Sequence, residues 1–247
     1  SFDTKCVPDE LIPYMGLLGS TLSLMDTKNY TYPELTNEIN INCGGLATGT
    51  ALYSDKVDFS KNTIVYEVKS KALYEKVPFV LGMMEEIMYN TRFDDYKRLK
   101  EIIARIKSRL EASLMGQGHS IAMLECCAQF SESAYYSDIL RGYKYYEFIK
   151  KLDEEFEQNK TQIVDKLNKL VGYIFNKDNV IVSLTADDEG YDCFVKALSA
   201  KSCNIKDEHY NTAVRSFIPV NVKTGYTSAS QVQYVARCGN FRDGGYE

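Results

Sequence analysis

Motifs able to bind a metal or attack a carbonyl are scarce in this chain. There are only two histidines, His119 and His209, ninety positions apart. The spacings H-E-x-x-H and H-x-x-E-H, which set two imidazoles and a carboxylate on one helix face, are absent, and so are G-x-S-x-G, the Walker A phosphate loop and G-x-G-x-x-G. His119 with Glu125 or Cys126 offers part of a zinc site, at separations of six and seven along one helix side; a helix-start histidine packed into a turn is the favoured reading. Cys43-Gly44-Gly45, ahead of a strand, has the form of a nucleophile beside an oxyanion nest. Glycines freeing φ for a helix-to-strand turn explain it better. The paired acids Asp94-Asp95 and Asp187-Asp188 read as caps or turns rather than as a general acid and base. Tyr135, Tyr136, Tyr143, Tyr145 and Tyr146 either line a peptide groove or pack in the core, and the sequence supports both readings equally.

The seven cysteines, Cys6, Cys43, Cys126, Cys127, Cys193, Cys203 and Cys238, are odd in number and lack C-x-x-C spacing. They read as reduced thiols in a reducing compartment. Cys126 and Cys127 are helix neighbours whose side chains point about 100° apart, which favours core packing over a shared metal. A net charge of −5 argues against a nucleic-acid surface and is compatible with cationic peptides. No apolar run approaches the roughly 20 residues that span a bilayer, and SFDTKCVPDE lacks signal-peptide character. A soluble, intracellular chain without a membrane partner is expected. With 247 residues, 45% of them hydrophobic, it is long enough to bury a sizeable core.

The elements that must position these side chains follow from periodicity. Asp9 is expected to cap a helix whose apolar residues Leu11, Ile12, Met15, Leu18, Leu22 and Met25 recur at helical steps; Gly16 and Gly19 inside it point to a close approach by another backbone. T-Y-P-E from Thr31 opens a second helix. LATGTALYSD and NTIVYEVKSKAL alternate and read as an antiparallel pair around the turn SDKVDFSKN. Helices follow over 73–90, with Val77, Val80, Leu81, Met84, Ile87 and Met88 as the buried stripe, and over 94–115. GQGHS breaks the chain before IAMLECCAQF, and FIKKLDEEFEQNKTQIVDKLNKLVGYIF reads as one long helix. NVIVSLTAD and SQVQYVARCGN read as strands on either side of the helix YDCFVKALSAK. Adjacent strands and blocks of helices predict an α+β class, with an antiparallel-rich sheet and helices mainly on one face.

The order LIPYMGLLGSTLSLMDTKNYTYPELTNEININCGGL, VPFVLGMMEEIM, GHSIAM, LRGYKYYEFIKKL and SFIPVNVKTGYTSASQVQYVARCGNF resembles the third domain and the entry to the fourth in the presequence protease branch of the pitrilysin and insulinase-type zinc metallopeptidases. The likeness covers almost the whole chain. It implies a pitrilysin-like, metallohydrolase-like domain over 1–203, peptidase-associated and noncatalytic, and a linker with the first strand of a truncated fourth domain over 204–247. In that family only the first domain carries H-x-x-E-H, whose histidines bind zinc and whose glutamate activates metal-bound water. The corresponding positions here are Leu17, Ser20 and Thr21, none of which can do that work.

The resemblance therefore implies no catalytic residue and no metal ligand in this stretch, and it assigns no substrate-binding residue. It implies zinc in the parent enzyme and none here, unstructured peptides as substrates of the parent, and the N-terminal catalytic half of the same polypeptide as partner. Location is expected in the cytoplasm or another reducing compartment, organellar if the source is eukaryotic. A noncatalytic scaffold or assembly subunit of the same superfamily is the alternative, and an unrelated binding module is a third reading. Because the chain opens at SFDTK, an unpaired sheet edge is expected there, and residues 231–238 are expected to pair with it or with a second copy.

Overall fold

A computed structural model describes residues 1–58, 61–200, 205–227, 231–240 and 245. The middle of the expected hairpin turn (residues 59–60), the expected domain boundary with Cys203, and most of the final Gly-Gly-Tyr-Glu fall outside them. The described residues form an α+β arrangement. A three-stranded antiparallel sheet is built from β1 (Phe2–Asp3), β2 (Leu46–Ser54) and β3 (Asn62–Ser70) in the order β1-β3-β2. Around it lie α1 (Ile12–Thr21), α2 (Tyr32–Asn42), α3 (Val77–Tyr89), α4 (Tyr96–Gly116), α5 (Gly118–Ala128), α6 (Glu132–Arg141), α7 (Tyr143–Glu154), α8 (Phe156–Ile174) and α9 (Asp188–Ala200).

The hairpin register pairs Thr50 with Tyr66 and Leu52 with Ile64, so alternation places these even-numbered residues on one face. That face meets the helices: Ile64 and Tyr66 join one core with Leu17, Leu18, Ile103, Ile149 and Leu167. A second, smaller core of Leu35, Ile39, Met83 and Ile87 ties α2 to α3 beside Leu46. Helix α1 is the centre of the larger core, with Met15, Leu17 and Leu18 fully buried. Each such side chain contributes about 1.5–3 kcal/mol by leaving water. Both helix glycines make the expected close approaches. A Cβ on Gly19 would lie 3.1 Å from the Cα of Gly49 in β2, and one on Gly16 would lie 2.8 Å from the Tyr145 ring.

Several expectations are corrected. Asp9 caps no helix: it lies inside a single 3-10 turn, Asp9–Leu11, and α1 starts at Ile12 because Pro13, with φ preset and no N–H to lose, suits the first turn. Thr31 does open α2, where the Glu34 carboxylate accepts from the Thr31 N–H at 2.9 Å and from its hydroxyl at 2.8 Å. On α3 the buried face is Val80, Met83, Glu86 and Ile87, while Leu81, Met84 and Met88 are half-buried. The long helix expected over 148–175 breaks at Glu155 into α7 and α8. No glycine or proline announces that break; it keeps Phe156 buried while Glu157 reaches Lys100 on α4 at 2.8 Å.

NVIVSLTAD forms no strand beyond the bridge Phe2–Val180 and the mutual backbone bonds of Ser1 and Ile181. With β1 only two residues long, Val182 and Leu184 find no strand to pair with and stay exposed; β-branched content alone makes no ladder. That contact also covers the outer side of β1. The described residues of SQVQYVARCGN likewise form no strand, and residues 231–238 pair with no sheet edge. They lie against α5, held by Tyr234 over His119 and by Cys238 beside Cys127, so side-chain contacts take the place of the expected pairing.

Candidate functional site

Helix α1 carries the positions that the family resemblance singles out. Leu17 is wholly buried in the core. The Ser20 hydroxyl donates to the Gly16 carbonyl at 3.3 Å, and the buried Thr21 hydroxyl donates to the Leu18 carbonyl at 3.1 Å. Both hydroxyls are thus returned to their own helix. Among the described residues no group of three or more His, Cys, Asp and Glu side chains converges as a metal site.

The other sequence candidates separate. His119 lies 5.8 Å, ring to ring, from Tyr234, whereas the Cys126 thiol faces the Ala236 carbonyl at 3.8 Å. Glu125 turns instead toward Asp138 and the Tyr226 hydroxyl; burial, then the Asp138 charge, push its carboxyl above the ordinary value. Asp138, almost completely buried, is balanced by Lys144, whose ammonium is 3.1 Å from Oδ2. His209 pairs with Asp178. The Cys43 thiol donates to the Ile39 carbonyl at 3.0 Å, and Gly45 takes φ +108°, so this segment is the turn that the glycines suggested. Asp95 caps α4 by accepting from the Arg98 N–H at 3.0 Å, and Asp187 accepts from the Gly190 N–H at 2.9 Å at the start of α9.

Within the tyrosine cluster, two members take the core reading and two others meet a later stretch of the same chain. Tyr136 and Tyr145 are core residues, and burial pushes the Tyr136 hydroxyl up to about 12. Tyr135 and Tyr143 form a ledge on which an extended stretch of the same chain rests. Phe217 stands 5.4 Å from Tyr135, Tyr226 stands 4.1 Å from Tyr143, and the Val220 and Val222 N–H groups each donate to Gln129 at 2.8 Å.

Two clefts open elsewhere. One, of about 510 Å³, lies at the hairpin end and is lined by polar residues including Lys5, Asp55, Asn62 and Glu132. The other, of about 290 Å³, lies between the turn before α2 and α3, where Tyr30, Phe79, Met83 and Glu86 are among the lining residues. Sequence reasoning passed over Glu86, although its signal was available: it follows Met83 by three positions and precedes Ile87, on the buried stripe of an otherwise apolar helix. Burial pushes this carboxyl up, but donors from Thr27, Asn90 and Asn29 outweigh that and hold it below the ordinary value.

Comparison with known proteins locates the chain in a family. Residues 1–152, more than half of it, match the family model for the associated domain of peptidase family M16, subfamily C. "Protein HypA" of Clostridium perfringens is 34% identical over 251 aligned positions, which take in 100% of this chain and 25% of that protein. "Presequence protease, mitochondrial" of Yarrowia lipolytica is 28% identical over 173 positions, 70% of this chain and 18% of the relative. "Presequence protease 1, chloroplastic/mitochondrial" of Arabidopsis thaliana is 24% identical over 250 positions, 100% of this chain and 23% of the relative. The chain therefore spans a quarter or less of the length of these relatives. It belongs to this peptidase-associated family, in the presequence-protease-like branch of the M16 metallopeptidases.

Proposed function

We propose that this chain is a noncatalytic part of a zinc metallopeptidase that degrades unstructured peptides, with residues 1–203 as its third domain and 204–247 as the linker and start of the fourth. In this reading the domain is pitrilysin-like and walls the peptide chamber opposite the catalytic half, limiting substrate size and sharing in opening and closing. The observation that carries it is α1: in a chain of the peptidase-associated family, the helix that the resemblance sets against the metal-binding one holds a buried leucine and two hydroxyls bonded to their own helix. These residues do not fit zinc, which needs thiolate, imidazole or carboxylate ligands, so no catalytic step runs through this helix. The relatives named mitochondrial or chloroplastic support an organellar, reducing location for a eukaryotic parent. No helix among the described residues is long and apolar enough to cross a membrane.

Zinc analysis of the purified 247-residue chain tests this. The expected content is far below one zinc per chain after dialysis, and one tightly held zinc per chain would overturn the noncatalytic assignment. A whole polypeptide that is itself zinc-free would move the reading to the scaffold subunit.

A further inference from the structure

Among the described residues three carboxylates are almost fully buried: Glu67, Glu86 and Asp138. Two of them carry a lysine. Lys69 pairs with Glu67, and Lys144 pairs with Asp138. Glu86 differs. Its Oε1 accepts from the Asn29 N–H at 3.0 Å, and its Oε2 accepts from the side-chain amides of Asn29 at 2.8 Å and Asn90 at 2.7 Å. These donors are neutral, and no ion pair among the described residues involves Glu86. Neutral donors satisfy lone pairs and stabilise the anion, but they leave it without the cationic partner that Glu67 and Asp138 each have among the described residues.

Glu86 lines the 290 Å³ cleft together with Asn29, Tyr30, Pro78, Phe79, Gly82 and Met83. Small-molecule pockets run from about 300 to 1,000 Å³, so this one suits a single long side chain better than a cofactor. An aromatic wall beside a buried carboxylate is complementary to an organic cation. Guanidinium fits better than ammonium because it is planar, weakly hydrated and able to stack on rings while donating to a carboxylate. We propose that this cleft takes the arginine side chain of a peptide segment, with Glu86 as counter-ion and Tyr30 and Phe79 against the guanidinium. The net charge of −5 favours the approach of such a segment. The inference is independent of the peptidase reading, because it concerns recognition of one side chain.

The test is an NMR titration of the whole 247-residue chain with Nα-acetyl-arginine methylamide. Saturable shifts are expected at the amides of Asn29, Tyr30, Gly82 and Glu86, with a dissociation constant on the order of millimolar, as suits so small a ligand. The neutral isostere, the citrulline derivative, should leave those amides unmoved, and the lysine derivative should bind several-fold more weakly. Glu86→Gln should weaken arginine binding about ten-fold, the worth of one charge-assisted bond. Phe79→Ala, which leaves the Glu86 hydrogen bonds in place, should weaken it several-fold and covers the case in which Glu86→Gln disturbs the fold. No shifts by about 50 mM ligand, equal binding of citrulline or lysine, or unchanged binding in both variants would overturn the proposal.

Discussion

A Cβ built on Gly19 would sit 3.1 Å from the Cα of Gly49 and 3.5 Å from the Thr48 carbonyl oxygen, and the same contact is sealed by the Thr48 hydroxyl donating to the Gly19 carbonyl at 3.0 Å. Helix α1 and strand β2 thus meet backbone to backbone. Gly19→Ala gains about 0.8–1.0 kcal/mol of helix propensity but pushes a helix off a strand that cannot rotate aside, at an overpacking cost of about 1–3 kcal/mol. The variant is expected to be less stable by about 1 kcal/mol, seen as a lower urea midpoint with an unchanged slope. An equal or higher midpoint would show that the close approach is slack.

Gly16 is tighter. Its added Cβ would meet the Tyr145 ring at 2.8 Å and the Leu140 carbonyl oxygen at 3.0 Å, and Tyr145 is itself buried. Gly16→Ala should cost about 2–3 kcal/mol, more than Gly19→Ala measured in the same way. The reverse order would contradict the packing described.

Glu86 makes stability depend on acid. Its folded-state pKa lies below the ordinary 4.5, so the native state binds this proton less well than the unfolded chain does. The stabilisation is complete above that value and is lost as pH falls through it toward the folded pKa. Melting temperatures recorded as pH is lowered below 4.5 should drop in the parent, and the drop should shrink in Glu86→Gln. Parallel profiles in the two proteins would rule out this group as a source of the acid sensitivity.

The stretch that crosses the tyrosine ledge rests on it through ring contacts, of which Tyr226 against Tyr143 at 4.1 Å is the closest. An aromatic pair of this kind is worth about 0.5–1.5 kcal/mol, so Tyr226→Ala should speed limited proteolysis between residues 205 and 227 by roughly two- to ten-fold. The urea midpoint of the core should move little. Unchanged cleavage rates would mean that the ledge does not anchor the segment.

What could be read from the sequence was local. The hairpin followed from alternation over 46–54 and 62–70, and α2 from T-Y-P-E. What could not be read depended on partners elsewhere in the chain. Val182 and Leu184 have strand-like composition but no strand beside them, residues 231–238 meet α5 instead of a sheet edge, and the break at Glu155 serves contacts with α4. Glu86 lay in view on an apolar stripe, but the cleft it lines and its bonds to Asn29 are tertiary facts.

The central claim is that this chain supports peptide hydrolysis without performing it. Cleavage of an unstructured peptide, measured side by side for the whole polypeptide that contains the chain and for the 247 residues alone, tests it most directly. Hydrolysis by the whole polypeptide that a zinc chelator abolishes is expected, and none by the 247 residues at equal concentration. Hydrolysis by the 247 residues alone, or its absence from a zinc-loaded whole polypeptide, would contradict it.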